Sequence, residues 1–368
     1  MKAYYEKRFK RVCNEGEQEG LDAILINNPV NSFYLTGVPE PAYPSGRCSL
    51  IINVKSKEGF LVVPSLEVNE VEDRIKNDRV EIIEYKVGEK SLDKVVHLLQ
   101  KMKVKRVGIE EDYTTKKQLE DITAKVSVAF KPMDKIMRNL RMIKDDAEIR
   151  AIMNAIKLTE QALKSLTSYI KEGITEAEIA AKLAKEIFSE GGKLAFDIIV
   201  ASGPRGAYPH GYYSLKKLRA GEPIVIDVGA RVQGYCADIT RVFIIGNIRK
   251  EVKEYISAIE EAIDKGIEFV KEGIHGSKID NIVREVLRTK GLGEYFTHST
   301  GHGVGIEVHE GPMLGPLSKD VLKTGMVTTI EPGIYFKDKY GIRIEEMVLV
   351  EKDKCKVMTS SLTRVFEI

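Results

Sequence analysis

The stretch LRAGEPIVIDVG at 218–229 returns without gaps as LKTGMVTTIEPG at 322–333. Both copies read L-x-x-G-x-x-x-x-I-[D/E]-x-G, an apolar run that ends on a carboxylate and a glycine. Asp227 thereby faces Glu331 at an offset of 104. Just beyond, GYCADITRVFIIG (234–246) aligns with YGIRIEEMVLV (340–350), so that Asp238 faces Glu345 at an offset of 107. Upstream, KEGI stands at 171–174 and again at 271–274. A helical pattern follows each, with Thr175 and Glu178 as caps in one copy, Ser277 and Asp280 in the other, and ends near Gly191 and Gly291. One such match is a chance turn pattern. Four in the same order are a duplication. Two similar halves, each with a helix pair and a strand hairpin, are expected to pack about a pseudo-twofold axis with sheets joined and helices outside. The four carboxylates then converge on that axis.

Residues before the duplication read differently. Short apolar strands (LDAILI at 21–26, SLIINV at 49–54, FLVVP at 60–64, VEIIEY at 80–85, RVGIE at 106–110) alternate with helical patterns. SLDKVVHLLQKM places Leu92, Val95, Val96 and Leu99 on one helical face, as in an α/β layered domain. His97 lies in that helix and is read as surface or structural. A long amphipathic helix, opened by Asp145-Asp146-Ala147-Glu148 and carrying Ile149, Ile152, Met153, Ile156 and Leu163, then begins the second part. Two domains are expected, at 1–135 and 136–368.

Composition bounds the partners. The hydrophobic fraction of 43%, the charged fraction of 30% and a net charge of +2 over 368 residues fit a globular chain and give no basic surface for nucleic acid. No run is long and apolar enough for a membrane helix. The charged start MKAYYEKRFKRV lacks a secretory h-region, so a cytoplasmic protein beginning at Met1 is expected. Cys13, Cys48, Cys236 and Cys355 have no CxxC spacing and read as reduced thiols.

Asp227 and Asp238 flank one hairpin, Glu331 and Glu345 the other, among β-branched and apolar neighbours. An uncompensated charge there costs several kcal/mol, so a cation must lie between them. Arg241 and Arg343 are near in sequence, yet four carboxylates exceed two guanidiniums. GHGVGIEVHEG (301–311) adds histidines on a glycine-rich segment. One His with four carboxylates is an oxygen-rich set suited to Mn²⁺, Co²⁺ or Fe²⁺. Its charge suits two ions, roughly 3.5–4 Å apart, that activate a water. From spacing alone, a dinuclear site and a salt-bridged core both remain open.

Four motifs in 141–368, IDVGARVQGYCADITR, HSTGHGVGIEVHEGP, IEPGIY and GIRIEE, resemble the catalytic domain of the pita-bread metallopeptidases, the family of methionine aminopeptidase, aminopeptidase P and prolidase. Residues 1–135, with NPVNSFYLTGV, resemble the N-terminal domain of prolidase, aminopeptidase P and creatinase. The resemblance implies an α/β (α+β) chain: a creatinase/prolidase-like N-terminal domain, then a pita-bread domain with internal pseudo-twofold duplication. It implies two divalent metal ions, Mn²⁺ or Co²⁺ before Fe²⁺ or Zn²⁺, with Asp227 on one ion, Asp238 and Glu345 bridging, and His302 and Glu331 on the second. Glu331 would also take a proton from the attacking water. His210, His298 and His309 match substrate-binding histidines, and Arg343 would orient a metal carboxylate. His275 matches nothing.

The implied substrate is a short peptide cut before proline, with the chain a homodimeric Xaa-Pro dipeptidase; aminopeptidase P is the alternative. Creatinase, which lacks metal, and a non-catalytic binding module are disfavoured because all five ligands stand. Proline has no amide hydrogen and a fixed φ, so a peptidase aligning its substrate through that hydrogen cannot use it. One departure bears on length. Prolidases often resemble one another in an arginine shortly after the VHE segment, suited to a dipeptide carboxylate. Met313 stands there in this chain, and Arg205 in GPRGAYPHG is the other cation to consider.

Overall fold

The computed structural model describes residues 2–38 and 48–368. They form two compact units, Met1–Arg141 and Met142–Ile368.

In the first unit a six-stranded mixed sheet runs in the order Val80–Tyr85, Glu58–Pro64, Ser49–Asn53, Ala23–Ile26, Arg106–Ile109, Ala129–Pro132. The first five contain the strands expected from sequence. The sixth, AFKP, is short and mostly exposed, and so carries little apolar signal. Helix Ser91–Met102 buries Val95, Val96, Leu98 and Leu99 against the sheet, while His97 is exposed.

The second unit opens with helix Asp146–Ser165. Asp145 and Glu148 form its capping box, and Ile152, Ile156 and Leu163 are buried; Met153 and Ile149 lie half-buried at the edge of that face. Two helix pairs then flank the duplicated strands. Glu176–Ser189 carries the expected box of Thr175 and Glu178. Its counterpart Gly276–Thr289 differs from expectation: His275 occupies the N-cap position without a side-chain bond, and Ser277 lies inside the helix. The physical reason is that the Asp280 carboxylate is taken by Arg284 and Thr300 and is not turned back to a cap.

Each half of the duplication contributes an antiparallel strand pair. Pro223–Val228 pairs with Ile239–Ile244 so that Asp227 faces Thr240, and Val327–Ile330 pairs with Glu346–Val350 so that Ile330 faces Glu346. Asp238 and Glu345 sit immediately before the second strand of their pairs. The ladders remain two sheets, of four and five strands. They meet where the Glu345 N–H donates to the Thr240 carbonyl at 3.2 Å. That junction puts all four carboxylates at the seam. No helix among the described residues is long and apolar enough to cross a membrane.

Candidate metal centre

Two close backbone approaches fix the histidine strand Gly301–Gly303. A Cβ at Gly301 would stand 2.1 Å from the Thr329 carbonyl oxygen, and one at Gly303 2.0 Å from that of Gly311. Only glycine fits on either side of His302, which is why the sequence there reads GHG. The His302 N–H donates to Thr329 Oγ1 at 3.1 Å, and Thr328 Oγ1 donates to the His302 carbonyl at 2.8 Å. Its Nδ1 lies 3.2 Å from the Gly303 carbonyl, which selects the tautomer that leaves Nε2 facing the carboxylates.

Nε2 is 3.1 Å from Glu331 Oε1 and 3.6 Å from Asp238 Oδ2. Ligand atoms cluster within 4.8 Å of one another in three overlapping groups: Asp227, Asp238 and Glu345; His302, Glu331 and Glu345; and Asp238, His302 and His309. All five residues expected as ligands are therefore brought together, and His309 stands closer to them than sequence indicated. Its ring crosses that of His302 edge-on, with centroids 4.3 Å apart.

The electrostatics are those of crowded, buried carboxylates. Burial, then the charges of Glu345, Asp227 and Glu331, push the Asp238 carboxyl well above its ordinary range. Burial, followed by Glu331 and Asp227, does the same to Glu345. Glu331 goes the other way: burial opposes ionisation, but the hydrogen bond and charge of His302 hold it at about 2. His302 is correspondingly raised to about 9, the Glu331 contact outweighing its burial.

A salt-bridged core fails to account for this set. Arg343 does reach Asp227, with Nη2 to Oδ2 at 2.7 Å. Arg241, wholly buried, turns instead to Glu346 at 3.0 Å and to the Thr359 carbonyl at 3.2 Å. Among the described residues, Asp227 Oδ1 and Glu345 Oε1 are buried and find no hydrogen-bond donor. An orphaned buried carboxylate oxygen is costly, and two of them facing one cluster with an imidazole nitrogen fit divalent ions held by oxygen and nitrogen donors.

A cavity of about 700 Å³ opens over the cluster. His210, His298, His309 and Arg343 all line it, beside the five expected ligands. Their environments differ. His210 and His309 keep exposed surface, yet the walls around the His309 ring strip enough water from it, with the charge of His302 next, to lower its imidazole. Both ring nitrogens of His298 are engaged: Nδ1 with the Ser299 carbonyl at 2.9 Å, Nε2 with the Tyr335 hydroxyl at 2.8 Å. Arg343 Nη1 donates to that hydroxyl at 3.0 Å and to the Pro209 carbonyl at 2.9 Å, and its Nε donates to Thr240 Oγ1 at 3.2 Å. Thr240 in turn donates to Glu345 Oε2 at 2.9 Å, and Thr329 donates to Glu331 Oε1 at 3.1 Å. Thr240, Thr329 and Tyr335 were missed in the sequence. Each stands within two to four residues of a ligand, and Tyr335 closes the IEPGIY motif. Arg205 does not line the cavity: its Nε donates to Glu176 Oε2 at 2.9 Å and its Nη2 to the Tyr212 carbonyl.

Converging carboxylates and an imidazole at the seam of a duplicated α/β unit make the donor set of a candidate hydrolytic metal centre. Residues 150–352 match metallopeptidase family M24 and residues 8–143 match the creatinase/prolidase N-terminal domain. The chain is 34% identical to the Xaa-Pro dipeptidase of Pyrococcus furiosus, over 97% of its own length and 98% of that protein's. Its fold superposes on an Xaa-Pro dipeptidase from Bacillus anthracis with a TM-score of 0.91 at 30% identity, covering 99% and 100% of the two chains. On the X-Pro aminopeptidase of Thermotoga maritima the TM-score is 0.88 at 36% identity, covering 96% and 100%. The chain belongs to metallopeptidase family M24, with a creatinase-type N-terminal domain preceding a pita-bread catalytic domain. A dinuclear metal centre comes with that family, and the seam is where this chain gathers candidate ligand groups.

Proposed function

We propose that this protein is an Xaa-Pro dipeptidase, and that Asp227, Asp238, His302, Glu331 and Glu345 hold two divalent ions, Mn²⁺ or Co²⁺ before Fe²⁺ or Zn²⁺. The observation that carries the reading is the pair of orphaned buried oxygens, Asp227 Oδ1 and Glu345 Oε1, within one cluster of donors. When bound, the ions polarise the scissile carbonyl and make a water acidic enough to attack at neutral pH.

The remaining steps belong to side chains. Glu331, ionised and fixed by Thr329, accepts the proton of the attacking water. His309 and His210, free to face the cavity, donate to the carbonyl oxygen as it gains charge. Arg343 holds Asp227 in orientation and, through Tyr335, fixes His298 as the wall of the cavity. Phe196, Ile199, Tyr212 and Val308 give the proline ring an apolar seat. Nothing in this set needs the amide hydrogen that proline lacks.

Aminopeptidase P is the second reading, and a specific observation favours it. Among the described residues lining the cavity, Arg343 is the one guanidinium or ammonium, and its nitrogens are committed to Asp227, Tyr335, Pro209 and Thr240. Met313 stands where a carboxylate partner is expected. The deciding experiment compares kcat/KM on an Xaa-Pro dipeptide, its carboxy-amidated form and an Xaa-Pro-Xaa tripeptide. A preference for the free dipeptide supports the dipeptidase; equal or faster cleavage of the tripeptide makes it an aminopeptidase. Cleavage of neither by the metal-loaded protein removes the proline-directed reading. The four unpaired cysteines accord with a cytoplasmic setting, and a homodimer is expected, checked by light scattering.

A further inference from the structure

Two carboxylates outside the metal cluster are wholly buried, and each ties down a segment of the cavity wall. Asp280, in helix Gly276–Thr289, accepts from the Thr300 N–H and from Thr300 Oγ1, both at 3.0 Å, through Oδ1. Arg284, one turn on, grips both of its oxygens, Nη2 to Oδ1 at 3.0 Å and Nε to Oδ2 at 3.1 Å. The same guanidinium donates to the carbonyls of Phe296 at 2.8 Å and His298 at 3.0 Å. Thr300 passes the constraint on, because its carbonyl accepts the Glu331 N–H at 2.8 Å. One ion pair thus fixes the backbone from Phe296 to Thr300 and, one bond further, that of Glu331.

Glu176, the first residue of helix Glu176–Ser189, does the corresponding work in the other half. Its Oε1 accepts from the Ser202 N–H at 2.9 Å and Ser202 Oγ at 2.8 Å; its Oε2 accepts from the Ser214 N–H at 3.1 Å, Ser214 Oγ at 2.6 Å and Arg205 Nε at 2.9 Å. Ser202 and Ser214 bracket the loop that carries Pro209, His210 and Tyr212 into the cavity. A buried carboxylate needs such donors to be tolerated. Here nearly all of them come from segments that carry cavity residues.

We propose that Asp280, with Arg284, and Glu176 are positioning residues with separate charges: the first pair aligns the His298 wall and Glu331, and the second aligns the His210 loop that receives the substrate. The proposal rests on the reading of this cavity as the peptidase site. Misplacing a reacting group by about 1 Å costs on the order of 10²-fold, and removing a residue that orients a ligand costs about 10–100-fold in affinity or rate. Asp280→Asn and Arg284→Lys are therefore expected to lower kcat about 10–100-fold and to weaken metal binding, with KM little changed. Glu176→Gln is expected to raise KM about 10-fold or more, with metal affinity kept.

The test measures kcat, KM, metal affinity by titration, and amide hydrogen exchange in the metal-free protein. Faster exchange confined to Thr300 and Glu331 in Arg284→Lys, with the kcat and KM losses divided between the two arms as stated, supports the proposal. Uniformly faster exchange, or equal losses of kcat and KM in both arms, makes the carboxylates merely structural and overturns it. Where Asp280→Asn does not fold, Arg284→Lys, which keeps the charge, decides. If the wild type cleaves no Xaa-Pro peptide while the local exchange and metal-affinity changes appear, the peptidase reading fails and the positioning role stands.

Discussion

The two halves of the catalytic unit share one plan and divide its labour unevenly. Each brings a carboxylate to the end of an apolar strand, Asp227 as the last residue but one and Glu331 just past it, and places a second, Asp238 or Glu345, before the returning strand. Between them the first half makes a tight turn joined to Lys193–Leu194, whereas the second makes the longer pair Gly333–Phe336 and Tyr340–Arg343. The extra length is used: Tyr335 and Arg343 lie on that pair, and Arg343 crosses the seam to Asp227. The neighbouring strands differ too. Ile199 faces Asp227, while the strand beside Glu331 carries His302. Duplication accounts for the carboxylates; what the second half added accounts for the imidazole and the guanidinium that stand among them.

That division is open to breakage in order of effect. Asp238→Asn, at the duplicated plan itself, is expected to lose metal and rate together, on the order of 10³-fold or more, checked by elemental analysis beside kcat. His309→Ala is expected to keep both ions and lose about 10²-fold in kcat, as for an oxyanion donor. Its place beside Asp238 and His302 sharpens that test, since loss of an ion would make His309 a ligand. Arg343→Lys severs the contact between halves without removing a ligand, and metal affinity should fall about 10–100-fold by titration.

The smallest effect is one of pH. In the metal-free protein the folded carboxyls of Asp238 and Glu345 are raised above their ordinary 3.8 and 4.5. A raised carboxyl binds its proton more tightly when folded, so its stabilisation is complete below the ordinary value and is lost as pH rises through the folded one. Glu331, depressed, loses its contribution only on acidification below 4.5. From about pH 5 upward the Tm of the metal-free protein should therefore decline relative to the metal-loaded one. A Tm gap that is flat or shrinks with pH contradicts this, as does metal uptake without proton release in an unbuffered titration.

What could be read from sequence follows the same line. The repeat at 218–229 and 322–333 exposed the carboxylates because strands keep a strict local pattern, whereas His302 was singled out only by the resemblance of HSTGHGVGIEVHEGP, and the fold supplies the reason for its flanking glycines in two close backbone approaches that exclude any Cβ. Residues acting at long range were not legible. Asp280 reads as a helix cap until Thr300 is folded against it, and Arg241 reads as a partner for the cluster until Glu346 claims it. Arg205 offered a cation in sequence, but its Glu176 partner lies 29 residues away and carries no local signal.

Strand Val365–Glu367 lies parallel to Ile239–Ile244 at the edge of the first half's sheet, and Phe366 stacks on Phe243 with centroids 4.4 Å apart. During synthesis, then, the ribosome delivers Asp227 and Asp238 more than a hundred residues before the strand that closes their sheet. The early half's sheet keeps that edge open until Val365–Glu367 returns to it. A bulky group joined close to Val365–Glu367 would therefore press on the sheet that carries Asp227.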